Sequence, residues 1–262
     1  MLGNGAELDM SIWDRNLFIR RLELIWPPDA DKSQYPFNLK ALHQWNELKF
    51  HPSVTYIIGE NGVGKSTLME AIAVAWGFNP EGGTKNFNFS TQATHSSLHE
   101  HIRLVRGIEK PRDGFFFRAE SYYNVATHID ELDREGGGRP IRNSYGGKSL
   151  HEQSHGESFF AAFVHRFGGQ GLYILDEPEA ALSPLRQMAM LARIHELVQQ
   201  GSQFIISTHS PILMAYPDSI LYHLTHEGID TRTLEETDHF IITKQFLNNK
   251  EKMIQELFED LQ

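Results

Sequence analysis

Apolar residues recur along this chain at two periods. Alternation of apolar and polar positions predicts a strand over Leu17 to Ile25, and short unbroken apolar runs predict buried strands at Val54 to Ile58, Leu172 to Leu175 and Phe204 to Ser207. Leu48 to Phe50 and Phe115 to Arg118 read as shorter strands. Helical spacing marks Ser66 to Trp76, Glu157 to Phe167 and Leu185 to Gln200. Ile220 to Leu224 and Ile229 to Leu234 read as a hairpin, followed by helices over Thr237 to Leu247 and Lys250 to Leu261. Buried strands alternating with helices predict an α/β fold, with a mostly parallel sheet covered on both faces. The strands ahead of the first helix add an antiparallel part. Asn79 to Thr84 reads as a helix exit, and the basic, Gly-rich stretch Glu135 to Ser149 as a loop. No internal repeat is visible.

Composition narrows the classes. At 262 residues and 40% hydrophobic, the chain can bury a sizeable core. A net charge of -10 argues against a generally basic nucleic-acid coat, though not against a local basic groove. Cysteine is absent, which removes disulfides, thiolate metal sites and a cysteine nucleophile. The N-terminal stretch lacks the basic-then-apolar order of a signal peptide, and apolar runs such as Phe159 to Val164 are too short to span a bilayer. A cytoplasmic location and no membrane contact are the expectations.

The sharpest motif is Gly59-Glu60-Asn61-Gly62-Val63-Gly64-Lys65-Ser66, which fits G-x-x-x-x-G-K-[ST] between a predicted strand and a predicted helix. Glycines let successive backbone N–H groups turn inward on a phosphate, and the helix N-terminus adds partial positive charge. Thr67 extends the same cradle. Lys65 would neutralise the β and γ phosphates, and the Ser66 hydroxyl would bind Mg²⁺. A guanine-reading Asn-Lys-x-Asp loop is absent; Asn248-Asn249-Lys250-Glu251 does not fit it. ATP is therefore the expected nucleotide.

The run Leu172 to Leu175 ends in Asp176 and Glu177. A buried strand fixes its end, so Asp176 can sit beside the Mg²⁺ held by Ser66. Side chains alternate along a strand, so Glu177 points elsewhere and can activate a water against the γ-phosphate.

With these two motifs in place, the chain resembles the ABC-type ATPases. Ser154-His155-Gly156-Glu157-Ser158, 22 positions before Asp176, is similar to their S-x-G-[EQ] signature. Ser207-Thr208-His209-Ser210-Pro211 resembles their switch-histidine loop, and Ala180-Ala181-Leu182-Ser183 takes the place of their D-loop. The order of motifs agrees from about Leu17 to Pro217. The strings DEPEAAL-S-P and STHSP are more similar to small bacterial ATPases near the overcoming-lysogenisation-defect and recombination or chromosome-maintenance ATPases than to transporter subunits.

The resemblance implies one ABC-type domain over residues 1–262, with a variable, partly helical lobe at about 79–165 and a C-terminal hairpin and helices at 218–262. It implies an ATP-hydrolysing homodimer. Ser154, Gly156 and Glu157 of one copy would meet the γ-phosphate on the other, while His209 contacts the γ-phosphate on its own copy and helps place water. The process implied is DNA repair or phage defence through a partner such as a nuclease or toxin; a transporter nucleotide-binding subunit and an ATP-sensing switch are the alternatives. One element departs from the pattern: no Gln ends the Phe115 to Arg118 strand, so Glu120 is the expected stand-in contact for Mg²⁺ or water, with Gln92 a weaker candidate.

Ser154 follows Lys65 by only 89 positions, too few for a long coiled-coil arm. Arg103, Arg106, Lys110, Arg112 and Arg118 in that interval, and Arg139, Arg142 and Lys148 in the later loop, allow a local DNA or RNA groove. Intervening acids favour a solvated surface instead. His95, His99 and His101 read as polar surface rather than a metal site. The aromatics Phe115 to Phe117, Tyr122 and Tyr123 read as core, and Tyr35, Phe37 and Trp45 as candidates for stacking on adenine.

Overall fold

A computed structural model describes residues 17–84, 96–122, 127, 129, 133–134, 143 and 155–259. Nine strands and six α-helices are defined among them, in two sheets. The larger sheet has six strands in the order β5(Asp113–Arg118), β6(Gly171–Asp176), β7(Gln203–Ser207), β3(Val54–Gly59), β8(Ser219–Thr225) and β9(Gly228–Thr231). β5, β6, β7, β3 and β8 run parallel, and β9 returns antiparallel as the edge of a hairpin. The smaller, antiparallel sheet has the order β2(Glu47–Lys49), β1(Ile19–Leu24), β4(Ile102–Arg106).

The central strands are buried along their whole length, as continuous apolar runs require of a sheet covered on both faces. Their alternation splits the core. Tyr56, Phe115, Phe117, Tyr173, Leu175, Phe204 and Ile206 face the helices α2(His155–His165) and α3(Pro184–Gln199), meeting Phe159, Phe163, Met190 and Ile194. Ile57, Phe116, Leu172, Ile174 and Ile205 face α1(Lys65–Trp76), which supplies Leu68, Met69 and Ile72 and in turn meets Ile19, Leu22 and Leu48 of the small sheet. A single turn, α4(Pro211–Met214), follows β7, and α5(Asp238–Asn248) and α6(Lys250–Glu259) follow the hairpin.

The predicted strands and helices appear within a few residues of their expected ends. One strand was not expected: β4, Ile102–Arg106, whose five residues include the charged Arg103 and Arg106. Arg103 meets Glu23 of β1 across the ladder, and Arg106 lies over the Trp76 ring at the end of α1. β4 and β5 both fall inside the interval 79–165 and join the two sheets. The stretch 135–149, apart from residue 143, lies outside the described residues, as do Gln92, His95 and Tyr123. No described helix is long and apolar enough to cross a membrane.

Candidate active site

Parallel strands deliver their C-terminal ends to one edge of the sheet. The ends of β3, β6 and β7 are neighbours there, so residues far apart in sequence meet by topology alone. The loop after β3 turns through Gly59, Gly62 and Gly64 with φ of 148°, 80° and 109°. At Gly59 a Cβ would lie 2.2 Å from the Leu224 carbonyl oxygen, so only glycine lets β3 leave the sheet this close to β8. Val63 is the loop's apolar anchor, packed with Ala41 and Leu224, while Glu60, Asn61 and Gly62 are exposed. The loop then opens α1, whose first turn carries Lys65, Ser66 and Thr67.

Lys65 is almost fully buried. Its ammonium donates to the carbonyls of Gly59 and Glu60, both at 3.0 Å. Burial lowers its pKa, against the opposing pull of Glu177, Asp176 and Glu179. Ser66 Oγ donates to Asp176 Oδ1 at 3.3 Å, and the same oxygen accepts from Ser207 Oγ at the end of β7. Burial pushes the Asp176 carboxyl up, while the hydroxyls of Ser207 and Ser66 and the nearby Arg118 favour its anion. Hydroxyl and carboxylate oxygens beside a buried lysine suit a hard cation such as Mg²⁺. Among the described residues no group of three or more His, Cys, Asp or Glu could hold a metal by itself.

Glu177 leaves β6 in the left-handed conformation, φ 50° and ψ 52°. This is uncommon for a residue with a Cβ and costs on the order of 1 kcal/mol or more. Its N–H is held by the carbonyl of Ser207 at 3.1 Å and by Ser207 Oγ at 3.2 Å. The turn swings Glu177 away from Asp176 and toward His209, whose Nε2 lies 3.5 Å from Glu177 Oε1. The His209 backbone N–H donates to Glu179 Oε1 at 2.6 Å, and its ring Nδ1 lies 2.9 Å from Nε2 of His239 on α5. Burial first, then the charge of Lys65, holds His209 below the ordinary imidazole pKa against the pull of Glu177. Glu179 is pushed up by burial.

The structure thus gathers Gly59 to Thr67, Asp176, Glu177 and His209 at one edge. Thr67 Oγ1 is bonded to the hydroxyl of the exposed Tyr35 at 2.9 Å, which brings one of the three candidate stacking aromatics to the loop. The other two are occupied: Phe37 packs on Trp26 and His101, and Trp45 donates its indole N–H to Ala41. Ser154 lies outside the described residues. Gly156 opens α2, and Glu157 beside it pairs with Arg186 on α3 at 3.3 Å.

Glu120 is not gathered with this group. Its side chain is 83% exposed and is drawn to Arg118, 3.6 Å away. It is Arg118 that reaches inward, to Glu70 at 2.6 Å and to Asp176 at 4.0 Å. Arg118, Glu179 and His239 are thus site residues that sequence reading missed. Arg118 enters through the strand pairing, which sets it directly opposite Asp176 once the sheet has formed. His239 carries no local signal, being 30 residues beyond His209.

Three of the basic residues named above are engaged within the chain: Arg103 pairs with Glu23, Arg106 lies over the Trp76 ring at 4.4 Å, and the half-buried Arg118 pairs with Glu70. Arg139, Arg142 and Lys148 lie outside the described residues. His99 is bonded to the Ser96 carbonyl, and His101 packs on Phe37.

Residues 37–161 match a family model described as an AAA domain, and residues 158–214 match one described as an AAA ATPase domain. A probable branched-chain amino acid transport ATP-binding protein, LivG, of Archaeoglobus fulgidus is 29% identical over 72% of this chain and 81% of its own length. A ribose import ATP-binding protein, RbsA 2, of Burkholderia cenocepacia is 26% identical over 70% of this chain, which spans 38% of that protein. Among solved structures, the cbiO1 part of the cbiONQ ABC transporter complex from Clostridium perfringens aligns over 93% of this chain and 99% of its own, with TM-score 0.46 and 19% identity.

Proposed function

We propose that this chain is an ATPase of the ABC/P-loop superfamily, and that it hydrolyses ATP with Mg²⁺, sandwiched between two copies, in the service of a partner acting on DNA. The observation that carries the reading is the meeting of Lys65, Ser66, Asp176, Glu177 and His209 at adjacent strand ends. Each has a task that its surroundings suit. Lys65 exchanges two loop carbonyls for phosphate oxygens, a stronger pairing for a buried cation. Ser66 and Asp176 hold Mg²⁺, whose chemistry when bound is to neutralise the β and γ phosphates. Glu177, swung clear of Asp176, takes the proton of the attacking water. His209 Nε2 orients that water and the terminal phosphate from the other side.

The dimer reading is supported by the resemblance of Ser154-x-Gly156-Glu157 to a signature that acts across two copies. Mixing tests it. A Ser154→Arg chain and a Lys65→Ala chain, each inactive alone, should recover up to a quarter to a half of wild-type turnover together, because one composite site per mixed dimer is intact. No recovery at any ratio would remove the trans assignment.

A second reading has its own support. The relatives described above are transport ATP-binding proteins, so a nucleotide-binding subunit of a transporter is the competing role. Against it stand the DEPEAAL-S-P and STHSP strings and the arginine at the position where a Gln is expected. Turnover with and without DNA, compared with turnover alongside membrane proteins that copurify, decides between the two. Stimulation by a membrane partner alone would overturn the DNA-directed reading.

A further inference from the structure

His209 is held from two sides. Its Nε2 faces Glu177 Oε1 at 3.5 Å, and its Nδ1 faces Nε2 of His239 at 2.9 Å. Two imidazole nitrogens at that distance share one hydrogen, so one ring donates and the other accepts. If His209 donated from Nδ1, its bare Nε2 lone pair would face the Glu177 carboxylate. If His239 donates, His209 accepts at Nδ1 and presents an N–H at Nε2 on the side where Glu177 Oε1 lies 3.5 Å away, so that the carboxylate meets a donor and not a lone pair.

We propose that His239 is a positioning residue for the ATPase site, donating its Nε2–H to Nδ1 of His209 and so fixing that ring as the Nε2–H tautomer aimed at Glu177 and the terminal phosphate. The residue comes from α5, whose start is firmly set. Thr237, buried ahead of the helix, accepts from the Phe240 N–H at 3.3 Å and donates to the Leu234 carbonyl at 2.7 Å, and Leu234 packs on the larger core. Burial lowers the pKa of both rings, and the charge of Lys65 adds to it, so both are neutral near pH 7 and share a single hydrogen. The charged and titratable groups facing the pair are Lys65, Glu177, Asp238 and His223, the last lying 3.5 Å from Asp230. The arrangement is that of a ring oriented through its far nitrogen, with imidazole in the place where a carboxylate or carbonyl often stands.

The inference rests on the ATPase reading for its rate effect only, and the first test does not need turnover. Ring ¹⁵N spectra of the wild-type chain should show His209 protonated at Nε2, with Nδ1 displaced by the bond it accepts. In His239→Phe that Nδ1 signal should move to the position of an unbonded nitrogen. An Nδ1–H tautomer in the wild type, or an unmoved signal in the variant, would overturn the proposal. In turnover, His239→Phe should lower kcat roughly tenfold with KM for ATP within twofold, and His239→Gln, which keeps an N–H donor, should regain most of it. In a His209→Ala background, His239→Phe should change nothing further. An equal loss in both backgrounds would show that His239 does not act through His209. Failure of the ATPase reading is a separate event, seen if Lys65→Ala hydrolyses ATP at the wild-type rate.

Discussion

Lys65 keeps its charge where burial disfavours it, held by two carbonyls and by three carboxylates close enough to act on it. Phosphate oxygens satisfy such a cation better than neutral carbonyls do. Removing the ammonium therefore costs charged hydrogen bonds to the nucleotide, about 2–3 kcal/mol, or roughly 30- to 150-fold in ATP affinity for Lys65→Ala. Titration with a fluorescent ATP analogue measures this, and affinity within threefold of wild type would contradict the assignment. Glu177 differs from Asp176 in that it contributes to the reaction and not to holding the nucleotide. Glu177→Gln should bind ATP within about threefold of wild type and lose about 10²- to 10⁴-fold in kcat, as the removal of a general base does. Retention of more than a tenth of the rate would pass the role of base to another group.

At the scale of elements, one side chain ties the start of β7 to the chain entering β1 and to the link between β2 and β3. Gln203 is fully buried at the start of β7. Its amide oxygen accepts from the N–H groups of Phe18 and Ile19 at 3.0 and 2.9 Å, and its amide nitrogen donates to the carbonyls of Ile19 and His51 at 2.9 and 3.0 Å. Gln203→Leu keeps the volume but strands four buried backbone groups, at a cost of about 3 kcal/mol or more. The melting midpoint should drop by roughly 6–12 °C while KM for ATP stays put. A drop below 2 °C would mean that the staple contributes little. Nothing in the sequence marks Gln203, because its four partners are non-local. The same cause hid β4: its five residues Ile-Arg-Leu-Val-Arg follow no clean period, and the partner of Arg103, Glu23 of β1, is distant in sequence. By contrast β3, β6 and β7 were legible because continuous apolar runs are forced on buried parallel strands, and the glycine cradle because it follows one of them directly. Asp176 and Glu177 were readable from that strand end, whereas Arg118 and His239 became site residues through neighbours that only the folded sheet supplies.

Across the molecule, three half-buried imidazoles among the described residues contribute to the response to acid. His51, His209 and His239 all have pKa values lowered mainly by burial. Below about pH 6.5 the unfolded chain binds protons that these folded sites refuse, so their contribution to stability is complete above that pH and is lost as pH falls. Glu179 and Asp176 act with the opposite sign. Burial raises their pKa values, so the folded state takes up protons first as pH falls toward the ordinary carboxylate range. His51 separates the two effects, since the carboxylate acting on it is Asp218, which opposes the effect of burial, and neither Asp176 nor Glu179. Its neutral Nδ1 accepts from the Ser53 N–H at 3.1 Å, a bond that protonation of that nitrogen destroys. His51→Asn can offer a carbonyl oxygen to the same N–H and does not titrate. The gap in melting midpoint between wild type and His51→Asn, measured from pH 7.5 to 5.5, should therefore shift in favour of the variant as pH falls. Parallel curves over that range would show that His51 charges as readily in the folded chain as in the unfolded one, and that burial does not govern its protonation.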